Sequence, residues 1–259
     1  MTDLKQKDLL IKEWLEEIKT YIIEQKNEDL EVSQKTADND LVTRMDKTIE
    51  EKLVGKIRSH FPSDKIVGEE GFGDQVDSLE GTVWFIDPID GTLNFVKQQE
   101  NFAVMIAVYT DGIPECGYVY DITQNKLYSS IKGEGVCCNG QQVQHPENLK
   151  LNEGMIASSS ALMGNEKKPV IREIGRTCMG VRMRGSAGLE TVEVLKGNVI
   201  AYIASNLKPW DVAPGLLFMS EMGMTASQFD GEEIDLLKDN SIIFATNNAH
   251  KEIVNMLDA

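Results

Sequence analysis

Residues 84–95 read Trp84-Phe85-Ile86-Asp87-Pro88-Ile89-Asp90-Gly91-Thr92-Leu93-Asn94-Phe95. The apolar run Trp84 to Ile86 predicts a strand that ends directly in two aspartates, Asp87 and Asp90. Pro88 fixes its own φ and carries no amide hydrogen. Gly91 permits an unusual dihedral or a close backbone approach. Such a turn can aim both carboxylates outward and free the carbonyl of Ile89. Oxygen ligands of this kind suit a hard cation such as magnesium. The same residue types also suit a tight surface turn, where Asp, Pro and Gly are common.

Two other segments shift that balance. Gly68-Glu69-Glu70-Gly71 follows a short apolar run, again at an expected strand end. Trp210-Asp211-Val212-Ala213-Pro214-Gly215 puts an aspartate at the start of an apolar helix, where it also suits an N-cap. Three segments thus offer carboxylates that could share one cation.

Outward from these segments, helices and strands follow from apolar spacing. Ile11, Trp14, Leu15, Ile18 and Ile22 form a helical stripe near the N-terminus. A second helix is expected from about Thr43, with Met45, Ile49, Leu53 and Ile57 on one face and Phe61-Pro62-Ser63-Asp64 as its stop. The polar stretch 34–40 between them reads as a loop or irregular hairpin. Short β-prone runs at 66–67, 83–86, 102–109, 116–120 and 126–130 suggest a largely antiparallel sheet. A second strand-bearing half is expected from 154–158. It continues as a helix over about 186–196, a strand over 199–204, a helix over 211–222, a strand over 241–246 and a terminal helix from about Ala249. Trp14, Phe72 and Tyr202 are expected to pack rather than to stack on a ligand.

The formal charge of −16 argues against nucleic-acid or anionic-membrane partners, which require a basic surface. No stretch approaches the ~18 uncharged apolar residues of a membrane span. The first residues are charge-rich rather than a signal core, so a cytoplasmic protein is expected. Cys116, Cys137, Cys138 and Cys178 form no disulfide framework, and reduced thiols are expected. His60, His145 and His250 are too scattered for a zinc site.

Taken together, GEE at 68–70, WFIDPIDGTLNF at 84–95 and WDVAPG at 210–215 resemble the inositol monophosphatase family. That family is part of the lithium-sensitive, magnesium-dependent phosphatases that include fructose-1,6-bisphosphatases. DLVTRMD at 40–46 resembles its upstream block and GSAG at 185–188 its substrate loop. The resemblance implies an α+β fold, a five-layer αβαβα sandwich of the sugar-phosphatase type, usually as a homodimer. It implies one domain over 1–259, made of two interlocked halves at approximately 1–150 and 151–259.

The resemblance also implies roles. Glu69, Asp87 and the Ile89 carbonyl resemble the ligands of a first Mg2+, and Asp87, Asp90 and Asp211 those of a second, within a set of two or three ions. Glu70 resembles the acid that helps organise a metal-bound water. Thr92 and Asp46 resemble the catalytic pair that orients the attacking water. Gly91, Thr92, Gly185, Ser186, Ala187, Asp211 and Lys35 resemble substrate contacts. Arg182, Arg184 and Lys208 are nearby cations that could assist, or simply solvated surface charges.

The expected activity is hydrolysis of inositol or sugar phosphates with release of inorganic phosphate. Inositol-preferring members carry a glutamate six residues before the tryptophan of the WD block. Here that position is Ala204, which cannot accept a hydroxyl hydrogen bond. NADP, adenosine 3′,5′-bisphosphate and fructose 1,6-bisphosphate are therefore alternative substrates, and an idle binding protein that retains the fold is the non-enzyme alternative.

Overall fold

A computed structural model describes residues 3–26, 31–34 and 41–258. Helix α1 (Asp3–Gln25) buries the expected stripe of Ile11, Trp14, Leu15, Ile18 and Ile22. Strands β1 (Ser33–Gln34) and β2 (Leu41–Val42) pair antiparallel, while residues 35–40 of the stretch expected as a loop or irregular hairpin lie outside the described residues. Lys35, expected at the site, lies outside the described residues. Helix α2 (Arg44–His60) starts on a reciprocal cap, in which Thr43 accepts from the Met45 and Asp46 amides and Asp46 accepts from the Thr43 amide. Its buried face holds Met45, Ile49, Leu53 and Ile57, but also the carboxylates Asp46 and Glu50.

Strand β3 (Lys65–Gly68) leads to β4 (Thr82–Asp90), helix α3 (Thr92–Gln98), β5 (Ala103–Thr110), β6 (Ile113–Asp121), β7 (Lys126–Ile131), β8 (Val136–Cys138) and β9 (Gln141–Gln142). These seven strands form one sheet in chain order, antiparallel except for the parallel pair β3–β4. Every residue of β4 from Val83 to Asp90 is buried, because the sheet is covered on both faces. The pairing of β4 with β5 slips between Asp87 and Asp90. Pro88 has no amide to give the ladder, and a bulge there re-aims the residues on either side.

The second half contains β10 (Met155–Ala157), α4 (Ser160–Met163), α5 (Pro169–Thr177), β11 (Gly180–Arg182), α6 (Ala187–Leu195), β12 (Ala201–Leu207), α7 (Pro209–Glu221), β13 (Thr225–Gln228), β14 (Asn240–Ala245) and α8 (Asn247–Leu257). Its five-stranded sheet runs β11-β10-β12-β14-β13. Strand β10 is parallel to both neighbours, whereas β14 is antiparallel to both of its own.

Three cores separate five layers. Trp14, Ile49, Trp84 and Tyr118 join α1 and α2 to the outer face of the large sheet. Phe85, Leu189, Phe218 and Phe244 sit between the sheets, with α6 and α7 as the middle layer. Ile156, Ile171, Ile203 and Ile253 hold α5 and α8 against the far face of the small sheet. The architecture is thus an αβαβα sandwich of the α+β class, as expected. Phe72 is a correction: it is 41% exposed rather than packed, because the turn that carries it leaves the sheet. Among the described residues no helix is long and apolar enough to cross a membrane.

Candidate active site

The bulge at Pro88 and the start of α7 bring three acids together. Oxygens of Asp87, Asp90 and Asp211 lie within 4.8 Å of one another. Asp211 is not the N-cap, which is Lys208, but the third residue of α7; from there it accepts the Lys208 amide at 2.7 Å while it joins the cluster. Glu69 lies close enough to raise the Asp87 pKa, which brings the second expected acidic segment into the same group.

Burial and mutual repulsion act together on these groups. The Asp87 carboxyl is pushed well above the usual carboxylate range by burial first, then by Glu69, Asp90 and Asp211. Burial likewise raises Asp90 to about 6 and Asp211 to about 8. Asp87 Oδ1 is buried without a hydrogen-bond partner among the described residues. No described residue compensates its desolvation.

The second-half loop closes over Asp90. Its carboxylate accepts from the Ser186 hydroxyl, from the Ala187 amide at 2.8 Å and from the Gly188 amide at 2.7 Å. Three donors leave one of the roughly four lone-pair positions of a carboxylate open. A Cβ at Gly188 would lie 2.5 Å from Met105 Sδ and 3.0 Å from Asp90 Oδ2, so only glycine lets α6 approach this closely. Gly91 caps α3 at φ 93°, where an added Cβ would meet the Gly185 carbonyl and Ser186 at 3.2 Å. Asn94 Nδ2 fastens the same loop through the carbonyls of Asn101 and Arg184, at 2.9 and 2.7 Å.

On the other side, Thr92 Oγ1 lies 3.0 Å from Asp46 Oδ1 and 3.0 Å from the Ile89 carbonyl oxygen. Asp46 Oδ2 accepts the Thr43 amide at 2.8 Å. Burial raises the Asp46 carboxyl, and the donors from Thr43 and Thr92 oppose that shift.

Glu50 was not anticipated. It is fully buried, and it accepts the amides of Glu70 at 2.7 Å and Phe72 at 3.0 Å, so it shapes the turn that presents Glu69 and Glu70. Its signal in the sequence was a carboxylate on the apolar stripe of α2, one turn after Asp46. The expected assisting cations are otherwise engaged. Lys208 pairs with Asp239, and Arg184 with Glu193. Arg182 donates to the adjacent Val181 carbonyl.

A cavity of about 360 Å³ opens beside the acids. Asp90, Asp211, Gly185, Ser186 and Ala187 line it, together with Tyr202. Ala204 is buried in β12 opposite Ile242.

The family model described as the inositol monophosphatase family matches residues 5–258. The chain belongs to that family. Like its other members, it is a phosphatase, a hydrolase of phosphoric monoesters. It is 35% identical to the inositol-1-monophosphatase of Bacillus subtilis, over 98% of this chain and 97% of that protein. A solved IMPase/NADP phosphatase complexed with Mg2+ and phosphate superposes with a TM-score of 0.92 at 34% identity, over 99% of this chain and 96% of that one. A lithium-chloride-soaked inhibitory complex of staphylococcal inositol monophosphatase-1 gives 0.93 at 33% identity, over 100% and 97%.

Proposed function

We propose that this inositol monophosphatase family member hydrolyses inositol or sugar monophosphates with magnesium as its cofactor. The observation that carries the reading is the convergence of Asp87, Asp90 and Asp211, with one buried Asp87 oxygen lacking a hydrogen-bond partner among the described residues. Acids forced together in a buried place fit a divalent cation, which would relieve the repulsion that raises their pKa values. Glu69, Asp87, Ile89 through its carbonyl, Asp90 and Asp211 would hold two or three ions. Bound magnesium supplies positive charge that makes water more acidic and draws electron density from the phosphoryl group.

The remaining roles belong to the chain. Thr92 has one hydroxyl proton and two acceptors at 3.0 Å. With the Ile89 carbonyl among the groups that would hold an ion, the Thr92 proton would go to Asp46 Oδ1. Thr92 Oγ1 then offers a lone pair to a water and orients it toward phosphorus. Glu70, set by Glu50, assists in organising that water. Gly91, Thr92, Gly185, Ser186 and Ala187 face the ester, and Lys35 is assigned there by family resemblance alone. Phosphoryl transfer depends chiefly on positioning and charge stabilisation, so no covalent nucleophile is needed.

NADP hydrolysis is the second reading. Ala204 removes the acid expected of inositol-preferring members, and one structural relative is an IMPase/NADP phosphatase. We also read residues 1–259 as one cytoplasmic unit that forms a homodimer, with four free cysteines in support of a reducing compartment. Phosphate release from inositol 1-phosphate, fructose 1,6-bisphosphate and NADP at equal concentration separates the substrates. Preference for inositol 1-phosphate supports the first reading, and preference for NADP replaces it with the second.

A further inference from the structure

Three buried side-chain oxygens have no hydrogen-bond partner among the described residues: Asp87 Oδ1, Ser158 Oγ and Glu190 Oε2. Asp87 belongs to the acidic cluster. Ser158 and Glu190 come from different elements, after β10 and within α6, yet both line the cavity that holds Asp90 and Asp211. Each is only 3% exposed. A buried acceptor or hydroxyl without a partner costs the fold free energy, and native chains seldom retain one without use.

The backbone around both oxygens is fixed. Glu190 Oε1 accepts the amides of Arg184 and Gly185, the latter at 3.3 Å, which commits half of the carboxylate to the loop. The Ser158 amide donates to the Arg182 carbonyl at 3.0 Å. Segment 182–185 therefore ties both residues to one wall, with Glu190 Oε2 and Ser158 Oγ left over. Strand β12 contributes Tyr202 and Leu207 to that wall, and Ala204 has no side-chain oxygen.

We propose that Glu190 and Ser158 form the subsite for the hydroxyl groups of the ester's alcohol, and so replace the acid absent at Ala204. This rests on the phosphatase reading above. Glu190 Oε2 would accept a hydrogen bond from one hydroxyl, and Ser158 Oγ would donate to or accept from a neighbour. The substrates so selected are monoesters of polyols or sugars, with aryl and simple alkyl esters disfavoured.

The test measures kcat/KM on phenyl phosphate and on the better of inositol 1-phosphate and NADP, for the wild type, Glu190→Gln and Ser158→Ala. Glutamine keeps an acceptor for the loop amides and places a donor where Oε2 was. The ratio of the hydroxyl-bearing ester to phenyl phosphate should fall roughly 10- to 100-fold in Glu190→Gln, the worth of one hydrogen bond to a charged group. It should fall about 3- to 10-fold in Ser158→Ala, mostly through KM. An unchanged ratio overturns the subsite, whether both rates drop together through the loop or neither moves because water satisfies the atoms. A wild type that shows no preference between the esters overturns it as well. If Glu190→Gln does not fold, the Ser158→Ala ratio decides alone. A wild type that releases phosphate from neither ester overturns the phosphatase reading itself, an outcome distinct from the others.

Discussion

Thr92 Oγ1 lies 3.0 Å from Asp46 Oδ1 although 46 residues separate them in the chain. The first residue of α3 and the third of α2 thereby meet at the floor of the site, and the same aspartate closes the cap of its own helix. If this pair orients water, Thr92→Val should lower kcat about 100-fold or more while KM changes little, and Thr92→Ser should recover much of the loss. A Thr92→Val enzyme within about twofold of wild type would show that the pair is structural only.

A buried carboxylate that serves two amides leads to a different expectation. Glu50→Gln puts an amide NH2 against the Glu70 or Phe72 amide, and should destabilise the protein by about 1–3 kcal/mol. Because Glu50 sets the turn carrying Glu69, the magnesium concentration for half-maximal activity should also rise. Thermal melts and a magnesium titration check both effects. Loss of stability with an unchanged magnesium requirement would separate the turn from the metal site.

The crowding at Gly188 is testable by a single methyl group. Gly188→Ala would meet Met105 and the Asp90 carboxylate, so Met105, Asp90 or α6 must shift. Overpacking of this kind costs about 1–3 kcal/mol, and here activity should fall together with the melting temperature. An active, fully stable Gly188→Ala protein would mean that the approach of α6 is looser than described.

Much of this arrangement was legible in the sequence. The strand ending in Asp87 and Asp90, the helix from about Thr43 and the acid in the first turn of α7 all follow from local rules. The alternatives for Asp211 could not be resolved from spacing, because the helix begins two residues earlier than expected, so that Asp211 closes on the Lys208 amide and joins the cluster at once. Glu50 was hidden for the opposite reason, since its partners are backbone amides twenty or more residues away. Helices α4 and α5 carried no expectation, because short elements between polar residues lack enough turns to show a period. Ser158 and Glu190 became visible only when the cavity showed what their oxygens lacked.

Protonation gives the metal-free protein a characteristic pH dependence. Asp90 at about 6 and Asp211 at about 8 lie above the ordinary value of 3.8, so the folded state holds protons that the unfolded state has released. Their contribution is complete below about pH 4 and is lost as pH rises through 6 and 8. The melting temperature in chelator should therefore fall between about pH 5 and pH 8. Magnesium should raise it more at the upper end, since cation binding must displace those protons. A melting temperature in chelator that rises over this range would contradict the buried cluster.

The most direct measurement is phosphate release from the preferred ester during a magnesium titration of chelator-treated protein, with calorimetric magnesium binding followed in parallel. The wild type should be inactive in chelator and recover as magnesium binds. Asp87→Asn should remain folded, bind magnesium more weakly and lose activity by orders of magnitude. Full activity in chelator, or an Asp87→Asn enzyme as fast as wild type, would contradict a metal site built on Glu69, Asp87, Asp90 and Asp211.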